Sequence, residues 1–222
     1  MKLYLAFIVL VLSSLTLRAG DKPVPQLISD VRLDLGRDGK SDLVAAVLVG
    51  ATDKAARRDD GSYWLKGGES VDLYFYMDNG GRKLDLSVPP TFVKKDIFET
   101  NNADGTDRAW AVFPLVQKGE ASVALHSCYG CGASISWDET LTIVSRNQQL
   151  LVAGFSRSWD ENIHLNNNSE VATTTGRCDI NFLSGKGLAT SDITIQPKPL
   201  KQKFRAVKLA DWSVKNIPAG CD

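Results

Sequence analysis

Histidine is scarce in this 222-residue chain: His126 and His164 are the only two. A mechanism built on an imidazole base therefore has two candidates. The motifs of the common hydrolases and nucleotide enzymes are missing as well. The nearest approach to G-x-S-x-G is Gly132-Ala133-Ser134-Ile135-Ser136, which lacks the second glycine. There is no S-x-x-K active-site set, no H-E-x-x-H and no P-loop. No basic block or stripe stands out, which argues against nucleic acid as a partner. No long amphipathic helix and no Pro- or Ser-rich linker can be traced, and no apolar run reaches the ~20 residues of a membrane span.

What is present begins with a leader-like N-terminus. Lys2 precedes an apolar run over residues 3–12, and small and polar residues follow as far as Ala19-Gly20. This is the pattern of a cleaved secretory signal peptide over residues 1–20. Leu17, third before the cut, fits the cleavage site less well than alanine would. The mature chain, residues 21–222, keeps 24 basic and 26 acidic residues and is close to neutral. A chain of about 200 residues can bury about 70% of its unfolded surface in one core. The expected setting is periplasmic or secreted, with no membrane span in the mature form.

Between residues 122 and 156 the pattern is clearest. Val123 and Leu125 alternate with Ala124 and His126, as in a strand with one buried face. Cys128-Tyr129-Gly130-Cys131-Gly132 then reverses the chain. Leu141 and Ile143 share a face, and so do Leu151, Ala153 and Phe155, with Arg146-Asn147-Gln148 as the hairpin loop between them. Further strands are expected over 27–35, 42–49, 109–116, 170–174, 177–183 and 204–209. Residues 71–77 and 83–88 read as a hairpin about Asp78-Asn79-Gly80-Gly81, ended by Pro89-Pro90. The almost wholly apolar run at 43–49 suits a strand covered on both faces. Residues 50–70, 99–108 and 160–169 read as polar loops, 184–187 as a turn, and 211–221 as a tail that packs back through Trp212. The fold class is all-β: a single antiparallel β-sandwich or barrel-like domain over residues 21–222.

Three groups of side chains carry chemical interest. Asp34, Asp38 and Asp42 with Gly39 follow a calcium-loop outline, D-x-x-x-D-G-x-x-D. Gly36 stands where a further carboxylate ligand belongs, so the competing reading is a turn whose aspartates accept backbone amides. Asn102 to Asp107 has a similar flavour and worse spacing. The four cysteines, Cys128, Cys131, Cys178 and Cys221, suit disulfides in an exported chain, and the expected pairs are Cys128–Cys131 and Cys178–Cys221. A redox Cys-x-x-Cys pair and a zinc site from His126, Cys128, Cys131 and a distant cysteine are the sharper alternatives. The residues after Cys131 show no helix pattern that would activate a thiol. Asp138-Glu139 and Asp160-Glu161 read as solvated loop charges, although carboxylate pairs in space are invisible in sequence. Tyr63, Trp64, Trp110, Trp137, Trp159 and Trp212 read as core or edge aromatics. If several share an exposed face, a sugar or peptide could bind there.

Asp34 to Leu43, DLGRDGKSDL, resembles the opening of FG-GAP or VCBS-type segments of integrin-α-like bacterial proteins. In those segments an acidic glycine loop precedes an apolar strand, and Gly36 departs from that acidic pattern. The strings VDLYFYMDNGGRKLDLS, CYGCG, ETLTIVSRNQQLLVAGF and CDINFLSGKGLAT resemble, in the same order, a group of exported bacterial proteins without assigned function. Residues 147–154 and 181–186 carry that likeness. The resemblance implies an exported all-β protein and supplies no activity.

The expected function is a non-catalytic binding or envelope-interaction module whose partner is an envelope protein, peptide or glycan. No catalytic residue and no cofactor is assigned apart from calcium at the acidic loop. The alternatives are an envelope hydrolase using loop carboxylates or histidine, and a redox or metal protein of the Cys-x-x-Cys turn.

Overall fold

Alternation of apolar and polar residues gives this chain sheets rather than helices: 52% of it is strand and 3% helical in the computed structural model. The structure describes residues 24–51, 54, 57–98, 110–131, 135–165, 170–191, 194–219 and 221. The expected leader at 1–20 and the acidic stretch at 102–107 lie outside the described residues.

A short sheet is built from β1 (Gln26–Leu33), β2 (Asp42–Val49), β4 (Ser70–Tyr76) and β5 (Phe92–Lys94), antiparallel in the order β1-β2-β4-β5. A long sheet contains β3 (Tyr63–Trp64), β6 (Trp110–Val112), β8 (Ser122–Tyr129), β9 (Ile135–Arg146), β10 (Gln149–Leu165), β11 (Glu170–Asn181), β12 (Lys186–Ser191) and β13 (Thr194–Pro199). Its order is β13-β12-β11-β10-β9-β8-β6-β3, with β7 (Val116–Gln117) against β8 and β14 (Val207–Lys208) against β10. The sheets pack together as a sandwich and do not close into a barrel.

One apolar cluster fills the space between them. Val44, Ala46 and Leu48 of β2, with Val71, Leu73 and Phe75 of β4, meet Val123, Leu125, Leu141, Ile143, Val152 and Phe155 of the long sheet. Each fully buried side chain of this kind contributes about 1.5–3 kcal/mol. β2 is buried on both faces, since Leu43, Ala45 and Val47 are enclosed too, as its unbroken apolar run anticipates.

Several boundaries differ from the sequence reading. Residues 83–88 form no strand. The Asp85 carboxylate accepts the Ser87 N–H and hydroxyl, and Pro89-Pro90 offer no N–H, so pairing with β4 waits until Phe92. Asp160 to Leu165 is not loop but the continuation of β10, and β11 runs straight through Gly176. The region around 184–187 is turn only to Gly185, after which β12 opens, and β12 and β13 had no counterpart in the strand pattern. Only Val207–Lys208 of the expected last strand is paired. In β10 a bulge between Val152 and Gly154 breaks the alternation, so Val152 and Phe155 are the wholly inward pair in place of Leu151, Ala153 and Phe155. Trp212 packs into the core, as the tail reading expects.

Candidate functional site

Strands of the short sheet span eight residues at most, whereas β9 and β11 span 12 and β10 spans 17. At ~3.3 Å per residue the long sheet therefore overhangs its partner. On the overhang, register brings one aromatic from each of four strands into a row. Trp110 faces Tyr129, Tyr129 faces Trp137, Trp137 faces Trp159, and Trp159 faces Gly176. Directly opposed residues share a face. Tyr129 lies two positions from Ser127 and four from Leu125 on β8, both wholly buried, so the row is on the inner, core-side face.

The four rings are half-buried. Phe98 stacks on Trp110 with ring centres 5.3 Å apart, Trp110 leans on Tyr129 at 5.2 Å, and Tyr129 stacks on Trp137 at 4.1 Å. The Arg157 guanidinium lies 5.4 Å from the Trp137 ring centre. Trp159 lies directly over Gly176, where any Cβ would overlap its indole. Glycine in the middle of β11 is thus a seat for this ring, and the strand continues through it.

A polar rung lies one step along the strands from the aromatic row, whose Trp110 and Trp159 also pack against the apolar core. Ser127 faces Glu139, Glu139 faces Arg157, and Arg157 faces Cys178. Glu139 Oε1 accepts from Arg157 Nε at 2.9 Å and Nη2 at 2.5 Å, while Nη1 donates to the Cys221 carbonyl at 2.9 Å. Burial pushes the Glu139 carboxyl above its ordinary value, and the Arg157 charge and hydrogen bonds pull the other way. The arrangement holds a tail in place and offers an aromatic surface beside it. Its one buried carboxylate is committed to a guanidinium, so the rung is suited to positioning rather than to proton transfer.

The other residues singled out in the sequence lie elsewhere. Asp34 accepts the N–H groups of Asp38 and Gly39, Asp38 accepts that of Lys40, and Asp42 accepts those of Gly36 and Asp78. Lys40 also reaches the Asp78 carboxylate at 2.9 Å. The acidic loop is a turn held by its own aspartates, and no group of three His, Cys, Asp or Glu side chains converges on a metal position among the described residues. Cys128 is bonded to Cys131 and Cys178 to Cys221, and no described cysteine is free to hold zinc. His126 sits on the outer face of the long sheet, its Nε2 3.2 Å from Asp138 Oδ1 and its ring stacked on Phe113 at 4.4 Å. His164 belongs to β10, opposite Val171, and not to a loop. Asp138, Glu139, Asp160 and Glu161 all lie in strands, and Glu139, 9% exposed, is no solvated loop charge. Of the aromatics named from sequence, Trp110, Trp137 and Trp159 share one face, whereas Trp212 is core.

Tyr129, which the sequence places only inside the Cys turn motif, is the link between Trp110 and Trp137. Its signal was its place at the end of an alternating strand. No family model matches the chain, nor does any curated protein or solved structure. Two disulfides fit a non-cytoplasmic setting, and no described helix is long and apolar enough to cross a membrane.

Proposed function

We propose that the protein is a non-catalytic binding module, periplasmic or secreted, that docks a peptide or glycan of the cell envelope on the aromatic row. The observation that supports this reading is the row itself: Trp110, Tyr129, Trp137 and Trp159 in one register line, half-buried on an overhanging sheet. Tyr129 and Trp137 stack and Trp110 leans on Tyr129, so the row forms a continuous, half-buried aromatic surface. Such a surface suits chains that combine apolar C–H faces with hydrogen-bonding groups, as glycans and extended peptides do. Trp and Tyr are also the side chains that carry most binding energy where they are anchored.

Tryptophan fluorescence titrated with soluble cell-wall glycan fragments and with peptides tests the proposal. A saturable change is expected, weakened about tenfold or more in Trp137→Ala and in Trp159→Ala. Far-UV circular dichroism shows whether each variant is folded, and Trp159→Phe is the milder substitute. Binding that is indifferent to all these changes would overturn the site. Release of cleaved product would favour a hydrolase instead, with the His126–Asp138 pair as the first residues to substitute.

A further inference from the structure

The fold gathers five cations from four parts of the sequence, two of them from the acid-free run 198–208, at the end of the sandwich remote from the aromatic row. Trp137 and Arg146 lie nine residues apart on β9, which is about 30 Å along an extended strand. A cleft of about 810 Å³ opens there between the β9–β10 turn, the β11–β12 turn and the segment that leads into β14. Its charged lining is Arg146, Lys186, Lys203 and Arg205, with no carboxylate. An adjoining hollow of about 430 Å³ shares Arg146 and adds Arg37, again with no carboxylate. All five side chains are exposed, and no ion pair among the described residues involves them.

The cleft is shaped by the backbone. Gly185 has φ +71° and approaches the Phe204 carbonyl so closely that a Cβ would stand 3.0 Å from it. Leu200 N–H donates to the Gly187 carbonyl at 2.9 Å, and the Phe204 ring lies over Gly187. Asn181 caps the same turn from inside, accepting the N–H groups of Leu183 and Ser184. These contacts clamp the 200–205 segment to the β11–β12 turn, which puts Lys186 in one cleft with Lys203 and Arg205. Phe182 and Phe204, both buried, form an apolar floor.

Exposed like charges repel, and nothing in the packing requires five of them here. We infer that the cleft binds clustered phosphate groups. Guanidinium groups pair with phosphate through two parallel hydrogen bonds, and lysines add point charge. A single carboxylate would engage one or two of these cations, whereas two or three linked phosphates engage the set. The volume lies within the range of small-molecule sites. The phosphates belong either to a soluble polyphosphorylated compound or to headgroups held in a membrane.

The test uses the intact, oxidised chain and tripolyphosphate in calorimetry at low salt. One-site binding is expected, weakened at least tenfold in the double variant K203Q/R205Q and unchanged in K83Q, whose lysine is exposed elsewhere. Raising the salt should weaken it as well. Vesicles with and without an anionic phospholipid separate the two sources. Cosedimentation lost in K203Q/R205Q assigns the site to membrane phosphate, and its absence alongside tripolyphosphate binding assigns it to a soluble ligand. No heat at millimolar tripolyphosphate together with no cosedimentation, or equal loss in K83Q, overturns the inference.

Discussion

At the scale of single residues, the Glu139–Arg157 pair shows how burial and partnership set a stability cost. Their side chains are 11% and 14% exposed, and the guanidinium holds both the carboxylate and the Cys221 carbonyl. Removing one partner leaves the other charged and enclosed, which costs about 3–5 kcal/mol. Glu139→Gln is therefore expected to lower the unfolding free energy by that order. The double change E139Q/R157M should recover much of it, because no buried charge remains. Denaturant unfolding of the single and double variants checks this, and a double variant as poor as the sum of its parts would reject it. Asp72 gives a second residue-level expectation. Burial raises its carboxyl above the ordinary value, against the hydrogen bond it accepts from the Asp96 N–H. A group raised in the folded state adds stability fully below its unfolded value of about 3.9, and loses it as pH climbs through the folded value. The melting temperature of the wild type relative to Asp72→Asn should thus fall from about pH 4 towards neutrality. A constant or rising difference would contradict the assignment.

At the scale of elements, the tail after β14 is held by the Cys178–Cys221 disulfide, by the Arg157 guanidinium and Lys94 ammonium on its carbonyls, and by the packing of Trp212 and Ile217. Cys178 and Cys221 are 43 positions apart, both fully buried. Closing a loop of that length removes about 4 kcal/mol of unfolded-state entropy. Cys221→Ser is expected to destabilise the chain by a few kcal/mol and to expose the Trp212 indole, seen as a red shift in fluorescence. A change below ~1 kcal/mol would mean that the tail is anchored by its packing alone. The elements also show where sequence reading stops. The β9–β10 hairpin was legible because Asn147-Gln148 sits between two alternating strands, and both residues take left-handed φ, 50° and 60°. The aromatic row beyond it was not. With a regular ladder from that turn, Trp137 would face Ser158, and Trp159 would point to the opposite face. The bulge at Ala153 shifts the register by one, so that Phe155, Arg157 and Trp159 turn inward together. Nothing about Val152-Ala153-Gly154 in isolation demands an extra residue there. The bulge is fixed by the inward placement it gives Phe155, Arg157 and Trp159.

At the scale of the whole molecule, the sandwich class could be read from alternation and turn chemistry, while both candidate sites depend on strand order. The aromatic row needs β6, β8, β9 and β10 to be neighbours, and the basic cleft needs three segments spread over some 60 residues of sequence. The overhang that carries the row is tied to the core by the polar rung and by the Cys178–Cys221 bond, whose sulfurs belong to the same buried cluster as Val44 and Phe75. If those ties hold, the overhang has no stability of its own and melts with the core. Three of the five tryptophans stand in the row, so fluorescence reports mainly on the overhang, whereas far-UV circular dichroism reports on both sheets. The two signals are expected to trace one coincident transition in guanidinium chloride, with equal midpoints and slopes. A fluorescence change that precedes loss of the far-UV signal would instead make the overhang a separate unit, free to reshape around a ligand while the sandwich stays folded.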